Sequence, residues 1–374
     1  MKANLYIWIM VIRLLSIYFI LNLLKVQGQT IDSLRSAAAQ LRHDSDKVAL
    51  YYHEGLGYRI VNPQYSYDCA IEAENMANRG STPLYIAKAS DLLGFLYHRK
   101  GDYTNALVYH KKALALRMLL GDKAGIAVSQ TNIGDVYWGM KLHQQAEAAY
   151  LDAVADFYET GQLQQTGYCL LRLGNLNSEL KNTNAAENYL NAAITNAKAR
   201  SDHALEAAAL NKLAALNIAN KNYDTAIANA LSAVRLNLLP RNNREMADSY
   251  LNLSEAYFQK EEFARGRAYL KTADSIIAEA GYTEARLQSL MKHAAYEEQT
   301  KNFEIAYNNL KSHGILKDSL DQVNALAKTQ NSFIERKIVE APLETHEKPF
   351  PYLLLLSLCA MALACVLFLL RFRK

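Results

Sequence analysis

Apolar residues recur every three or four positions on both sides of a short polar turn between residues 88 and 116. Leu93 and Tyr97 precede the turn Gly101-Asp102-Tyr103, and the apolar spacing resumes at Ala106. This spacing places the apolar residues on one face of each of two consecutive helices. The segment is therefore predicted to be an antiparallel helix pair.

The pattern returns every 40 residues, and three columns of small side chains mark the period. In chain order the columns contain Gly94, Gly134, Gly174, Ala214, Ser254 and Ala294; Ala106, Ala146, Ala186, Ala226, Gly266 and Ala306; and Ala113, Ala153, Ala193, Ala233, Ala273 and His313. All but the last are Gly, Ala or Ser, and larger residues would overpack the helix crossings. Such a period is typical of solenoids, in which successive helix pairs stack into one array.

We therefore expect an all-α chain: an α-solenoid of antiparallel helix pairs, followed by one C-terminal transmembrane helix. The array is predicted over residues 29–313, with a degenerate first unit at about 47–80 and six full units after it. His293 and His313 replace apolar or small residues in the last unit. This is the polar cap expected where a stack ends.

Beyond the array, a rough heptad predicts a stalk helix over 314–341, and prolines mark 342–349 as a linker. Residues 350–370 contain no charged side chain and are long enough to span a bilayer. Arginine and lysine follow in 371–374, which the positive-inside rule assigns to the cytoplasm. The repeat domain would then lie on the exported side of a single-pass membrane protein.

The N-terminus agrees with this topology. Lys2 precedes an apolar stretch at 14–24, and Val26-Gln27-Gly28 offers small residues before a cleavage point. Residues 1–28 are therefore predicted to be a signal peptide. An uncleaved anchor is the alternative, although Arg13 interrupts the apolar run that a spanning helix needs.

Composition narrows the classes of function. The formal net charge of +4 falls on the two ends, because 35 basic residues remain against 37 acidic ones when the six in 1–28 and 371–374 are set aside. A nearly neutral domain without a basic run does not predict nucleic-acid binding. The nine histidines are scattered without metal-ligand spacing, and no phosphate loop or nucleophile motif occurs. We expect no metal, no cofactor and no enzymatic activity.

The unit Leu93-Gly94, Tyr97, Gly101-Asp102-Tyr103 and Ala106 resembles the tetratricopeptide repeat, with its 34-residue unit lengthened to 40. The resemblance implies a right-handed α-solenoid, the tetratricopeptide superhelix. The wider layout, with Lys-Asp-Ser-Leu at 317–320, is similar to bacterial membrane sensor proteins that export such a domain. In those relatives a histidine kinase or a helix-turn-helix domain commonly follows the span, whereas four residues follow it here.

In tetratricopeptide folds the first helix of each pair lines a concave groove. The resemblance therefore implies a candidate binding groove formed by Asp91, Phe95, His98, Arg99, Asp135, Trp138, Asn175, Glu179, Asn211, Glu255 and Phe258. Aromatic and polar groups together can hold a peptide or another helix, with Trp138 as the strongest anchor. The alternative is that these are ordinary solvated or stacking residues. Asp91 and Phe95 replace the Lys and Asn of relatives that grip chaperone tails, so that clamp is not expected.

Two functions remain open. The first is a membrane-anchored sensor or adaptor, on the periplasmic side of a bacterial inner membrane, which binds a protein or peptide and relays this to a membrane or cytoplasmic partner. The second is a passive scaffold that tethers a cell-envelope assembly. Ala360 and Ala364 form a small-xxx-small pair, so a dimer through the span or the stalk is also open.

Overall fold

The structure, a computed structural model of the chain, describes residues 30–80, 83–238 and 243–340. The predicted signal peptide, linker, transmembrane segment and cytoplasmic tail lie outside these residues. Within them, no helix combines the length and the apolar character that crossing a membrane requires.

The described residues form fifteen helices and no strand. The helices are α1 (Ile31–Ala39), α2 (Asp44–Tyr58), α3 (Pro63–Gly80), α4 (Pro83–Arg99), α5 (Tyr103–Leu120), α6 (Lys123–Gly139), α7 (His143–Glu159), α8 (Leu163–Glu179), α9 (Thr183–Ala199), α10 (His203–Ala219), α11 (Tyr223–Asn237), α12 (Asn243–Gln259), α13 (Phe263–Ala280), α14 (Thr283–Gln299) and α15 (Phe303–Glu340). The prediction of an all-helical solenoid is confirmed for this part of the chain.

From α2 to α13 the helices form pairs, each pair packs against the next along the chain, and α14 packs against α12 and α13. Helix α1 packs on α2 and α3 at the N-terminal end. The chain divides into two compact units, Met1–Asp321 and Gln322–Lys374. The array belongs to the first unit, and α15 continues from it into the second.

The turn inside each pair is the same in every full unit. Its central residue has a left-handed backbone, with φ between 59° and 75° at Gly101, Lys141, Lys181, Lys221, Glu261 and Lys301. In one such turn the N–H of Asn182 donates to the carbonyl of Asn177 at 2.9 Å, which closes the end of the first helix. The 40-residue period is therefore a period of backbone geometry as well as of side chains.

The first small column lies where the two helices of a pair cross. A Cβ on Gly134 would come within 2.6 Å of the Tyr150 ring, and one on Gly174 within 2.7 Å of the Leu190 side chain. Where the first helix carries Ala214 instead, the residue sixteen positions on is the buried Ala230. The two positions are thus complementary in size: glycine on the first helix faces a large side chain on the second, and alanine is paired with alanine.

Candidate functional site: the inner face of the array

The first helices of successive units pack on one another, whereas the second helices of successive full units do not to a comparable extent. The first helices are therefore the more closely packed side of the array. We call the inner face the half-exposed or exposed positions that recur on these helices at residues 128, 132 and 135 and every 40 residues thereafter. In α6, α8, α10 and α12 they are Val128, Asn132, Asp135, Tyr168, Arg172, Asn175, Ala208, Lys212, Ala215, Asp248, Asn252 and Glu255.

Asp91 was predicted to line the groove, but it is buried between α4, α5 and α6. Its carboxylate lies 2.5 Å from Nη1 of Arg117 and 2.8 Å from Nδ1 of His110, and both of these side chains are also buried. The Ser129 hydroxyl donates to the same carboxylate at 3.3 Å and accepts from Arg117 at 2.8 Å. Asp91 thus joins two units and is not available to a ligand.

Asn211 is also buried, which corrects its assignment to the groove. Its amide nitrogen donates to the carbonyl of Glu245 at 2.9 Å, and its amide oxygen accepts from the Ser249 hydroxyl at 2.7 Å. These two bonds connect α10 to α12. The buried Asn211 amide therefore forms its hydrogen bonds with the next unit and not with solvent.

Phe258 is the third predicted groove residue that the structure buries. Its ring stacks on Tyr296 of the following unit, with centroids 3.2 Å apart and planes 3° from parallel. It also fills the space above Gly266, where a Cβ would come within 2.3 Å of the ring. Phe258 is a packing residue between units.

Asp135 and Glu255 do lie on the inner face, and each is paired with a cation of the next unit. Asp135 accepts from Arg172 Nε at 2.8 Å and from the Tyr150 hydroxyl at 2.6 Å. Glu255 lies 2.7 Å from the Lys292 ammonium. Burial alone raises the pKa of Glu255, but the charge and hydrogen bond of Lys292 outweigh this and hold the pKa below its usual value.

Trp138 is half-buried and spans two units. Its indole N–H donates to Glu179 at 2.7 Å, and the ring meets Tyr150 edge-on with centroids 6.5 Å apart. The predicted anchor and the predicted Glu179 therefore contact each other. A truncation of Trp138 would disturb this packing as well as any ligand contact.

The remaining predicted residues of α4 lie near the N-terminal end of the array. The Arg59 guanidinium lies 6.0 Å from the centroid of Phe95, and Arg99 donates to the Arg59 carbonyl at 3.0 Å. The His98 ring lies 5.6 Å from that of Tyr103. Burial lowers the pKa of the His98 imidazole, although the nearby Asp135 carboxylate opposes this. This region is rich in aromatic groups that are already in contact.

Asn175, in the middle of the inner face, differs from these residues. It is half-exposed, and its amide forms no hydrogen bond to another residue in the described part of the chain. The sequence interpretation missed two similar side chains, the half-exposed Asn132 and the exposed Lys212, which also form no hydrogen bond or ion pair with described residues. The sequence does contain a signal for them, because Asn132 and Lys212 occupy the same position of the 40-residue unit as Arg172.

Carboxylates of α12 border this central region. Burial raises the pKa of both Glu245 and Asp248, and the positive charges of Lys212 and Arg244 oppose the rise. The central inner face therefore presents the amides of Asn132 and Asn175, which have no hydrogen-bond partner among the described residues, and the exposed ammonium of Lys212. It also presents the Asp248 carboxyl, whose charged form is destabilised by burial. Among the described residues no cluster of His, Cys, Asp and Glu suits a metal ion.

Known proteins agree with this architecture. Tetratricopeptide-repeat family models match residues 85–159, 168–199 and 247–279. The apo form of RapI aligns with a TM-score of 0.60 at 14% identity, over 74% of this chain and 99% of RapI. A Rap protein complexed with competence and sporulation factor gives 0.59 at 14% identity, over 78% of this chain and 80% of that protein. Aspartyl phosphate phosphatase F from Bacillus subtilis gives 0.55 at 15% identity, over 83% and 92%.

Residues 85–159, 168–199 and 247–279 are thus tetratricopeptide repeats, as the resemblance of the repeat unit implies. At these identities the likeness to the solved structures is a likeness of fold. No curated protein matches the chain in sequence.

Proposed function

We propose that the chain is a non-enzymatic, membrane-anchored adaptor or sensor whose exported array binds a peptide or protein segment on its inner face. The observation that carries the proposal is the set of uncommitted polar side chains at the centre of that face: Asn132, Asn175 and Lys212. A carboxamide both donates and accepts, so it matches the paired N–H and C=O groups of a peptide backbone. An exposed ammonium favours an acidic group on the ligand.

The fold supports the proposal by analogy. One Rap protein of this fold was solved in complex with competence and sporulation factor. A shared fold does not carry function by itself, so the argument rests on the inner-face side chains of this chain.

Binding is tested by crosslinking the tagged full chain in intact cells and quantifying the proteins recovered with it. The double variant Asn175→Ala with Lys212→Ala removes two side chains that form no hydrogen bond or ion pair with described residues. We expect it to lower recovery of the ligand at least about tenfold, since a hydrogen bond to a charged group contributes about 1.5–3 kcal/mol.

A matched control is Asn191→Ala with Lys111→Ala. Both residues are exposed on second helices, away from the inner face. This variant should recover the ligand as the wild type does. Equal recovery from all three proteins would place binding elsewhere and refute the inner-face assignment.

The anchor and the topology rest on the sequence. The uncharged stretch 350–370, the basic residues after it and the apolar N-terminus support an exported array. A reporter that is active only in the cytoplasm should function when fused after Lys374. The purified protein should begin at Gln29, whereas an N-terminus at Met1 would show an uncleaved anchor.

A passive scaffold is the second candidate. It is favoured by the pairs Asp135–Arg172 and Glu255–Lys292, which neutralise much of the inner face between neighbouring units. A scaffold should recover the same proteins in constant proportion under all growth conditions. Recovery that changes with a stimulus would favour the sensor.

A further inference from the structure

The last unit leaves large apolar side chains uncovered at the end of the array. Met291 on α14 is 46% exposed, and on α15 Phe303, Tyr307 and Leu310 are 64%, 64% and 48% exposed. We call these four residues the end face. The polar cap predicted from His293 and His313 is not what the described residues show, because the four apolar side chains stay exposed and His293 Nε2 lies 2.7 Å from Asp274 of the unit before.

Two of these four positions are buried in the preceding unit, whereas Phe263, 40 residues before Phe303, is half-buried and Arg267, 40 residues before Tyr307, is exposed. Leu270 stands 40 residues before Leu310 and is fully buried, and Leu251 stands 40 residues before Met291 and is 2% exposed. Helix α14 lies against this unit, with Ser289 donating to Asp274 of α13. The end face therefore has the character of a surface between units, without a following unit in the described residues.

The opposite end of the array is closed. Leu34 and Ala38 of α1 are buried against a cluster that includes Tyr51, Tyr65 and Cys69. The exposed positions of α1 include the polar residues Asp32, Arg35 and Ser36, which do not match the apolar end face of a second copy. Two end faces do match each other, and a contact that uses the same face twice has a two-fold axis.

The charges beside the end face suit such an axis. Glu304 and Lys311 are exposed, and neither forms an ion pair within the described residues. They lie seven residues apart, so they share one flank of the helix. When two α15 helices run antiparallel about an axis near Tyr307, Glu304 of each copy meets Lys311 of the other.

The glycine at 314 fits the same arrangement. A Cβ there would meet no atom of the described residues within 4 Å. Glycine in a helix interior costs about 0.5–1 kcal/mol relative to alanine, and no described neighbour of Gly314 accounts for this cost. In the antiparallel pair, Gly314 lies opposite the turn at 301–302 of the second copy, where a close approach of backbone needs a small residue.

We propose that two copies of this chain associate through their end faces, with α15 packed antiparallel on α15 about a two-fold axis near Tyr307. The partly exposed apolar side chains offer roughly 400 Å² per copy, given about 150–250 Å² for a fully buried aromatic. Two copies bury roughly 800 Å² of apolar surface, and flanking polar groups bring the contact toward the ~1,200 Å² lower bound of specific interfaces. The dimer is therefore expected to dissociate on dilution.

Disulfide crosslinking of the full chain in membranes tests the geometry. Tyr307→Cys, in a chain with Cys359→Ala and Cys365→Ala, places two thiols beside the axis, and the two remaining cysteines are buried. Mild oxidation should give a product of twice the chain mass. Tyr158→Cys in the same background is the control, because Tyr158 is 71% exposed but lies at the end of α7.

A crosslinked dimer from Tyr307→Cys and none from Tyr158→Cys supports the proposal. No dimer from Tyr307→Cys overturns it, including the case in which the chains associate only through their membrane segments. A crosslink from Tyr307→Cys to a different protein alone also overturns it, because the end face would then belong to another partner.

Charge reversal gives an independent test in detergent solution by analytical ultracentrifugation. Glu304→Lys and Lys311→Glu, made singly, should each weaken dimerisation about tenfold, because each places two like-charged pairs across the axis. The double variant restores opposite charges in both pairs and should return to within about twofold of the wild type. Failure of this rescue, with helix content unchanged by circular dichroism, refutes the two-fold arrangement.

Discussion

The carboxylate of Asp91 shows how one buried charge can hold neighbouring units together. It lies within 2.8 Å of both Arg117 and His110, and Arg117 in turn donates to the Gly125 carbonyl at 2.8 Å. All three ionisable side chains are buried, so each depends on the others to replace water. Without Asp91, the nearest carboxylate to Arg117 among the described residues is that of Asp122, 3.9 Å from Nε.

Asp91→Ala should therefore destabilise the protein by about 3–5 kcal/mol, the usual cost of leaving a buried charge without its partner. The control is Asp224→Ala, because Asp224 is exposed and pairs with Lys260 at the surface, where little effect is expected. Urea unfolding followed by circular dichroism measures both. Equal midpoints for the two variants would show that the Asp91 cluster contributes nothing beyond a surface pair.

Single residues are also where sequence reasoning fell short. Asp91, Asn211 and Phe258 stand at helix positions that the tetratricopeptide resemblance assigns to the groove, yet all three are buried. The 40-residue period predicts the direction of a side chain around the helix axis only to within one residue, or about 100° of rotation. Whether a position opens to the groove or meets the next unit depends on how closely successive first helices approach, and that approach is not encoded in spacing.

At the scale of elements, most of the fold was predictable. The columns of Gly134 and Ala146 identify the helix pairs, because close crossings admit only small side chains. The turn residues gave a weaker signal. Lysine occupies the left-handed position in four of the six turns. Since lysine does not favour a positive φ, the residue type at this position does not indicate the left-handed conformation.

Those lysines provide a stability prediction. Lys181 has φ of 59°, a conformation that costs a non-glycine residue about 1–2 kcal/mol. Lys181→Gly removes this cost but adds chain entropy to the unfolded state, so a net gain of about 0.5–1 kcal/mol is expected. The control Lys198→Gly, in the last turn of α9, should instead lower stability, since glycine disfavours helix. Thermal unfolding compares the two, and a loss of stability in Lys181→Gly would contradict this account.

At the scale of the whole molecule, units contact chiefly their neighbours, so conditions that weaken one junction should act locally. The junction of the last two units depends on Glu255 with Lys292 and on Asp274 with His293. Burial raises the pKa of Asp274, but hydrogen bonds from His293 and Ser289 outweigh this and lower it. The pKa of Glu255 is lowered as well.

A carboxyl group whose pKa is lowered by folding stabilises the native state above its unfolded pKa. The unfolded values are 3.8 for Asp274 and 4.5 for Glu255, so this stabilisation is complete near pH 6 and is lost as the pH falls below about 4. Hydrogen exchange in α14, corrected for intrinsic rates, should therefore accelerate more than in α8 between pH 6 and pH 3.5. Lys292→Met should reduce this difference, whereas uniform acceleration along the array would show that the junction is not the sensitive element.

The closed N-terminal end and the open C-terminal end give the array a direction of growth. A ribosome releases the chain from the N-terminus, so α1 and the first pair emerge before anything that must dock on them. Each later pair can then pack on a pair that is already folded. Until it does so, the apolar residues of the folded pair that it will cover stay exposed. Phe303 and Tyr307 are exposed where the described residues contain no further helix pair to cover them.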